Sequence, residues 1–399
     1  MSKTVLLTLG RLPKALELAR ALKSAGCRVV VAEPFGWHVC KPSTAVDRSI
    51  RVAAPNTNTQ QYLDDLMRII TEERVDIVVP VSEEALHAAR LKPVLPAHVN
   101  IFSPGQAQLL QLHDKLGFAH IASSYDLDVP ETFPAGDPAA VALSQVYDHI
   151  IKPVHSCSGI GVEHRLKGTA LNIKPVDPDC VVQAFVPGRH VSSFSVAHEG
   201  HEIVTVLYEG TVFSGTVAVC FTRIEKLKPV DDWISRFIAR SGYSGFISFD
   251  FIVSDEGRAW AIECNPRVTS GVHFLNNADL ARAILQPAAR QPVRFKKKRS
   301  FQQSYTTLTE AYRHILNPPA FLARMRQLFS ARDVVWSARD PMPFLLMTPM
   351  SWDILKPSIF SGISLGEAAT RDIAWFGTGP KPCGPVTGKV SLHGVSHDK

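Results

Sequence analysis

Apolar runs and helical spacings alternate along the first hundred residues. Short apolar runs predict strands at Thr4–Thr8, Arg28–Ala32, Asp76–Pro80 and Val99–Phe102. Between them, apolar residues three and four positions apart predict helices at Leu12–Ser24, Tyr62–Glu73 and Glu83–Leu91. Because strands that alternate with helices favour a parallel, doubly wound sheet, we expect residues 1–103 to form an N-terminal α/β domain.

The turn after the first predicted strand, Gly10-Arg11-Leu12-Pro13, contains a single glycine. The dinucleotide-binding fingerprint places three glycines at such a turn, so that the backbone can approach a pyrophosphate. We therefore expect no nicotinamide or flavin cofactor.

The pattern changes after Pro104, where strands come to dominate. The first part predicts helices Gly105–Leu112, Asp114–Ser124 and Ala139–Tyr147, followed by strand His149–Pro153. The second part predicts one helix, Val230–Ser241, among strands Val181–Val186, Val191–His198, Glu202–Tyr208, Val217–Thr222, Phe246–Val253 and Ala259–Cys264. A run of strands with few helices favours an antiparallel sheet, so residues 104–290 are predicted to be a second, α+β domain.

The charge and composition of the chain argue against a nucleic-acid or membrane partner. The 399 residues include 43 Lys and Arg and 37 Asp and Glu, a net charge of +6, and the six positive charges of 290–299 have no acid between them. Such a run can bind RNA or a membrane surface, but we interpret 291–300 as a solvated linker, since basic and acidic residues mix elsewhere. No apolar run approaches the roughly 18 residues that cross a bilayer. We expect a cytoplasmic protein with no nucleic-acid or membrane partner.

The cysteines and the C-terminal residues 301–399 give less information about function. The seven cysteines form no Cys-x-x-Cys pair, which argues against a structural zinc site or a disulfide framework. Residues 301–399 predict helices Thr306–Ile315 and Pro319–Phe329 and a tail rich in Gly, Pro and Lys. We expect a small C-terminal accessory domain, to which the sequence assigns no reaction.

The strongest chemical signal is a predicted hairpin with acidic residues on both strands. Asp250 lies on the first strand, and Glu263 and Asn265 lie two apart on the second, after the turn Ser254–Gly257. Residues two apart share a face, so the hairpin presents two carboxylates and an amide on one side. Oxygen ligands of this kind suit Mg²⁺, and Arg267 follows where a cation could contact phosphate oxygens. The alternative is that both acids are ordinary exposed sheet residues.

Two weaker signals precede the hairpin. Lys152 ends a predicted strand before the small-residue loop His155–Val162, a form that can hold phosphate but that a mobile surface loop shares. The strand Val181–Val186 is interrupted by Pro187-Gly188 and resumes at Val191, which by itself indicates a bulge or turn.

Taken together and in this order, the three signals resemble the ATP-grasp superfamily over about residues 1–290. The resemblance implies an ATP-grasp domain of two α+β subdomains behind the doubly wound parallel domain, and therefore a fold class of α/β and α+β. It implies ATP and two Mg²⁺ ions, with Mn²⁺ as a substitute, as cofactors. The implied metal ligands are Asp250, Glu263 and Asn265, and the implied catalytic residues are Arg267 and Lys152.

The resemblance also implies the contacts to the nucleotide. Lys115 and Lys152 would contact the phosphates, and the loop Ser156–Gly161 would close over them. Gln183 and the backbone of Phe185 and Val186 would hold the adenine, and His190 would stand where many members have a glutamate at the ribose. The implied nucleotide-binding set is Lys115, Lys152, Ser156, Ser158, Gly159, Gly161, Gln183, Phe185, Val186 and His190.

The activity implied is that of an ATP-dependent carboxylate–amine ligase, which joins a small-molecule carboxylate to an amine through an acyl phosphate. The alternatives are activation of bicarbonate or another carboxylate without amide formation, and a nucleotide-binding regulatory protein without turnover. A homodimer is a further expectation from the resemblance. Candidate substrate contacts are Glu83, Ser214, Arg223, Ser270, Gly271 and His273.

Overall fold

The N-terminal part of the chain folds around a five-stranded parallel sheet. The computed structural model describes residues 2–155, 161–171, 180–214, 216–312, 314–363 and 365–375. The elements are β1 (Thr4–Leu7), α1 (Pro13–Ser24), β2 (Arg28–Glu33), β3 (Arg48–Arg51), α2 (Thr59–Glu72), β4 (Ile77–Val79), α3 (Ala85–Ala88) and β5 (Asn100–Ile101). The strand order β3-β2-β1-β4-β5 confirms the predicted doubly wound sheet.

Two details of this sheet differ from the prediction. Strand β3, with the sequence Arg-Ser-Ile-Arg, is an additional edge strand whose polar residues give no apolar run. The predicted helix Glu83–Leu91 is a single α-helical turn, α3, followed by a 3₁₀ turn at Ala89–Leu91. The side chain of Glu84 accepts hydrogen bonds from the backbone N–H groups of Val81 and Ser82, so it fixes the loop that leads from β4 into this short segment.

A four-stranded antiparallel sheet follows. Its region contains α4 (Gln106–His113), α5 (Lys115–Ser124), β6 (Thr132–Pro134), α6 (Pro138–Val146), β7 (His149–Pro153), β8 (Glu163–Arg165) and β9 (Cys180–Ala184). The strand order is β6-β9-β7-β8. Asp114 caps α5 by accepting hydrogen bonds from the backbone of Leu116 and Gly117, each at 2.8 Å, and thereby fixes Lys115 at the first position of the helix.

The larger sheet carries the predicted hairpin. Its region contains β10 (Arg189–His198), β11 (His201–Ser214), β12 (Val217–Arg223), α7 (Lys228–Ser241), β13 (Gly245–Val253), β14 (Ala259–Asn265) and α8 (Asn277–Leu285). Among the described residues the sheet has seven strands, in the order β14-β13-β10-β11-β12, followed by two short strands, β15 (Ser300–Gln302) and β16 (Arg332–Asp333). One face packs on α7 through Trp233 and Phe237, and the other face shares a core with α1 and the N-terminal sheet.

The last two strands of this sheet come from the C-terminal region. That region contains β15 (Ser300–Gln302), α9 (Ser304–Tyr312), α10 (Pro318–Ser330), β16 (Arg332–Asp333), α11 (Met342–Leu345), α12 (Met347–Met350), α13 (Trp352–Ser361) and α14 (Leu365–Thr370). In the part of the chain described, none of the helices combines the length and apolarity that crossing a bilayer requires.

A buried ion-pair network docks the C-terminal region onto the N-terminal sheet. The guanidinium of Arg11, in the loop after β1, contacts the carboxylate of Glu33 at 2.5 Å and that of Asp372 at 2.6 Å. The side chains of Arg11 and Glu33 are almost completely buried. Because ligands of open α/β sheets bind at the carboxyl ends of the strands, this network fills an edge that such folds often leave open.

A second buried network joins α1 to the basic run. Glu17 contacts Lys296 Nζ at 2.6 Å and His273 Nδ1 at 3.0 Å. Burial alone would raise the pKa of Glu17, but the Lys296 ammonium and the hydrogen bond from His273 lower it to about 2. The carboxylate therefore stabilises the fold above the pKa of an unfolded glutamate, and that stabilisation is lost as the pH falls towards 2.

We expect Glu17→Gln to flatten the acid limb of the stability profile. Since one pKa unit corresponds to about 1.4 kcal/mol, this group should contribute about 3 kcal/mol to the wild-type free energy of unfolding at about pH 7, and about half of that should be lost by about pH 3. Urea unfolding at several pH values measures the slope, and Glu72→Gln, on the surface of α2, is the matched control. An unchanged slope in Glu17→Gln would contradict this account of the network.

Candidate functional site

The hairpin β13–β14 brings the three oxygen-bearing residues onto one face. Asp250 pairs with Glu263 and Ser248 pairs with Asn265 across the two strands. Asn265 Nδ2 donates to Asp250 Oδ2 at 3.1 Å, and the hydroxyl of Ser192 on β10 donates to Asp250 Oδ1 at 2.6 Å. The sheet therefore fixes the Asp250 carboxylate from two neighbouring strands.

The electrostatics of this pair suit a cation. Desolvation raises the pKa of Asp250, and the adjacent Glu263 carboxylate raises it further, while His190, at 4.0 Å, opposes the shift. No group of three or more His, Cys, Asp or Glu side chains suited to a metal occurs among the residues described, so the third ligand would be the Asn265 amide oxygen. Two carboxylates and an amide are an oxygen-only donor set of the kind that Mg²⁺ accepts.

Arg267 connects the hairpin to the N-terminal domain. Its Nε donates to Glu83 Oε1 at 2.6 Å, and its Nη2 donates to Asn265 Oδ1 at 3.0 Å. Glu83 follows β4, at the carboxyl end of the parallel sheet, and its side chain is 1% exposed. Burial alone would raise the pKa of Glu83, but Arg267, followed by His113 and Lys14, lowers it to about 2. Glu83 is therefore a carboxylate at neutral pH, and it orients Arg267.

Lys152 enters the same region from the small sheet. Its Nζ donates to Gln183 Oε1 and to the backbone oxygen of Ile262, each at 2.9 Å. Burial lowers the pKa of Lys152 to about 8; Glu263 opposes that shift, and Lys115 adds to it. Two lysines from different elements, β7 and the start of α5, thus lie close enough to influence each other beside the carboxylates. Such a buried cationic pair suits the phosphates of a nucleotide.

Three more of the predicted nucleotide contacts, Gly161, Phe185 and Val186, lie beside β7 and β9. Phe185 follows β9, is 39% exposed and packs its ring at 4.4 Å from that of His164, while Val186 is half-buried. Gly161 has a φ of 74° beside Pro153. Gly188 has a φ of 151°, and a Cβ there would lie 2.4 Å from the backbone oxygen of Val253, so the interrupted strand requires glycine. The predicted contacts Ser156, Ser158 and Gly159 lie outside the described residues.

The candidate substrate residues do not all converge on this centre. Glu83 lies within it, but the hydroxyl of Ser214 donates to Glu310 at 2.7 Å and Arg223 lies at the far end of β12. His273 is buried against Glu17, and Gly271 packs so tightly that a Cβ would lie 2.3 Å from Phe194 Cβ. Ser270 begins the 3₁₀ turn that contains both. Gly271 and His273 therefore help to hold α1 against the larger sheet.

Sequence reasoning missed two residues of the centre. His113 is buried, with Nδ1 at 3.9 Å from Glu83 Oε2, and its ring stacks on that of His155. Lys14 Nζ donates to Ser82 Oγ at 3.0 Å and to the backbone oxygen of Val268 at 2.7 Å. A histidine immediately before Asp114-Lys115 could have indicated the first of these, whereas nothing near Lys14 distinguishes it from other helix-surface lysines.

Part of this chain matches a known family of protein domains. Residues 113–271 match the family model of the ATP-grasp domain. No curated protein sequence matches the chain significantly.

Several solved structures share the fold at low sequence identity. The biotin carboxylase domain dimer of Hydrogenobacter thermophilus 2-oxoglutarate carboxylase, in complex with MgADP, ADP and bicarbonate, has a TM-score of 0.59 and 16% identity, over 74% of this chain and 71% of that one. N5-carboxyaminoimidazole synthetase from Staphylococcus aureus has a TM-score of 0.56 and 15% identity, over 74% and 81%. L-amino acid ligase from Bacillus licheniformis has a TM-score of 0.56 and 15% identity, over 72% and 74%.

These likenesses and the family match confirm the resemblance drawn from the sequence. The match begins at His113, beside the first lysine, and ends at Gly271, after Arg267, so it contains both lysines and the whole hairpin β13–β14. Residues 113–271 of this chain are an ATP-grasp domain.

Proposed function

We propose that this chain is an ATP-dependent carboxylate–amine ligase that forms an amide or peptide bond and releases ADP and phosphate. The observation that carries the proposal is the grouping of Asp250, Glu263 and Asn265 beside Lys152 and Arg267. ATP-grasp domains are found in ATP-dependent ligases, and the L-amino acid ligase that shares this fold bears that activity in its name. Both reactants are small molecules, and a homodimer is the assembly we propose.

The described residues have distinct roles in this proposal. Lys115 and Lys152 bind the phosphates of ATP, and Gln183 with the backbone of Phe185 and Val186 holds the adenine. His190 lies at the ribose. Asp250, Glu263 and Asn265 are the residues that would hold Mg²⁺, which shields the phosphate charge when bound.

The reaction has two steps. A carboxylate oxygen of the first substrate attacks the γ-phosphorus of ATP, the bond from that phosphorus to the bridging oxygen breaks, and ADP leaves with the bond electrons. The amine then attacks the acyl carbon, the C–N bond forms, the C–O bond to the phosphate breaks, and inorganic phosphate leaves with the bond electrons and takes up the proton that the amine loses. Lys152 and Arg267 stabilise the negative charge on the transferring group, and Glu83 keeps Arg267 in place.

Activation of bicarbonate is a second candidate. The biotin carboxylase and the carboxyaminoimidazole synthetase share the fold as well as the amino acid ligase does. In this case the same residues transfer the phosphoryl group to bicarbonate. Bicarbonate therefore belongs in the set of carboxylates to be assayed.

We expect ADP release from MgATP to require both a carboxylate and an amine. The assay follows ADP in pools of amino acids and small carboxylates, with bicarbonate as a separate pool, each with and without amines. Glu263→Gln should lower the rate about 100-fold, because it removes one of two charged metal ligands. Glu256→Gln, in the exposed turn of the same hairpin, is the control and should keep the wild-type rate.

The pools separate the candidate functions. ADP release that bicarbonate alone supports would favour the second candidate. Tight binding of MgATP without ADP release in any pool would contradict the ligase proposal and favour a regulatory nucleotide-binding protein.

The affinity for MgADP should fall above about pH 8. The pKa of Lys152 is about 8 without bound nucleotide, so its ammonium loses its proton above that pH and the attraction for phosphate weakens. Calorimetric titration from about pH 6.5 to 9.5 should show up to about tenfold weaker binding per pH unit above 8. Lys152→Arg, which stays charged over this range, should show a flat profile. A parallel decline in both proteins would assign the effect to another group.

A further inference from the structure

Three arginines meet at a cavity of about 580 Å³ beside the larger sheet. Arg223 ends β12, Arg299 precedes β15, and Arg189 begins β10. The backbone N–H of Arg223 donates to the carbonyl of Arg299 at 2.8 Å, so adjacent strands bring these two arginines to the cavity wall. The hydroxyls of Thr222 and Ser300, 2.9 Å apart, also lie in the wall.

The positive charge of the cavity is not fully balanced. Arg189 forms an ion pair with Glu209, and Arg299 forms one with Glu225 at 2.5 Å. The side chain of Arg223 forms no hydrogen bond or ion pair with any residue in the described ranges, and its Nη1 is buried. Its guanidinium lies 4.6 Å from the centre of the Phe295 ring.

The surroundings of Arg223 disfavour an isolated cation. Burial lowers the pKa of Arg223, and the nearby Arg299 guanidinium lowers it further, while Glu225 opposes this. Because Glu225 already pairs with Arg299, the Arg223 guanidinium has no carboxylate of its own among the described residues. An anion in the cavity would supply the missing negative charge.

We propose that this cavity binds an oxyanion, a carboxylate or a phosphate, either free or carried by a small organic molecule. Arginine forks match both groups in geometry, and Thr222 and Ser300 supply further donors. Ile224 and Leu227 provide apolar wall for the body of the ligand. The volume lies within the range of about 300–1,000 Å³ that small-molecule sites occupy.

The cavity is separate from the carboxylate pair of the hairpin. Strands β10 and β11 lie between β13 and β12, and three strand spacings of about 4.8 Å put Arg223 about 14 Å from Asp250. The oxyanion is therefore either the remote group of a long substrate or a free anion. Both sources share one recognition chemistry, and the proposal does not depend on the ligase activity.

Calorimetric titration with phenyl phosphate tests the proposal. The full chain is titrated with and without saturating MgADP, so that binding at Lys115 and Lys152 is recognised by its competition with the nucleotide. We expect saturable binding that persists with MgADP and weakens about tenfold in Arg223→Gln, the loss of one charge-assisted contact. Arg258→Gln, an exposed arginine paired with Asp128, is the matched control and should bind as the wild type does.

A second variant and a second probe complete the test. Arg299→Gln changes a half-exposed side chain, so it should fold normally and also weaken binding. Inorganic phosphate that binds as tightly as phenyl phosphate indicates a free anion, whereas tighter phenyl phosphate indicates a carried group. Equal affinity in the wild type and both variants, loss of all binding with MgADP, or no saturable binding of either probe would overturn the proposal. If the chain bound nucleotide but showed no carboxylate-dependent turnover, the ligase proposal would fail, and the outcome of this titration would be unaffected.

Discussion

The ion pair between Glu83 and Arg267 is the constraint on which the candidate site depends. It joins the carboxyl edge of the parallel sheet to the end of β14. Arg267 also donates a hydrogen bond to Asn265, which in turn donates one to Asp250, so the positions of all three side chains are linked. Loss of one partner of a buried pair leaves the other charge uncompensated, at a cost of about 3–5 kcal/mol. The N-terminal domain is thus part of the candidate site, because it sets the position of the Arg267 guanidinium beside the proposed metal ligands.

The hairpin was predictable from sequence because its information is local. Two strands of alternating pattern and a short turn suffice to bring Asp250 beside Glu263, and the parity of the second strand puts Asn265 on the same face. The alternation of strands and helices up to Val99–Phe102 likewise predicted the parallel sheet. The ATP-grasp resemblance needed only the order of three such local signals.

The contacts that the sequence did not predict join residues far apart along the chain. Strand β3 is recognised only by its pairing with β2, since its polar residues carry no periodic signal. The basic run looked like a solvated linker, yet Arg294 pairs with Asp279, Lys296 with Glu17, and Ser300 lies in a strand of the larger sheet. Nothing near a basic residue in sequence indicates which distant acid will neutralise it, and the same limit hid His113 and Lys14.

The network of Arg11, Glu33 and Asp372 has a consequence for the timing of folding. Arg11 and Glu33 are 22 residues apart and can pair as soon as both have emerged from the ribosome, whereas Asp372 is 361 residues downstream of Arg11. At about 5–20 residues per second, synthesis of that interval takes on the order of 20–70 s. During this time Arg11 lacks its second carboxylate partner, Asp372, and the C-terminal region does not yet cover the carboxyl edge of the N-terminal sheet. The nascent domain therefore displays a charged, open edge that the completed chain conceals.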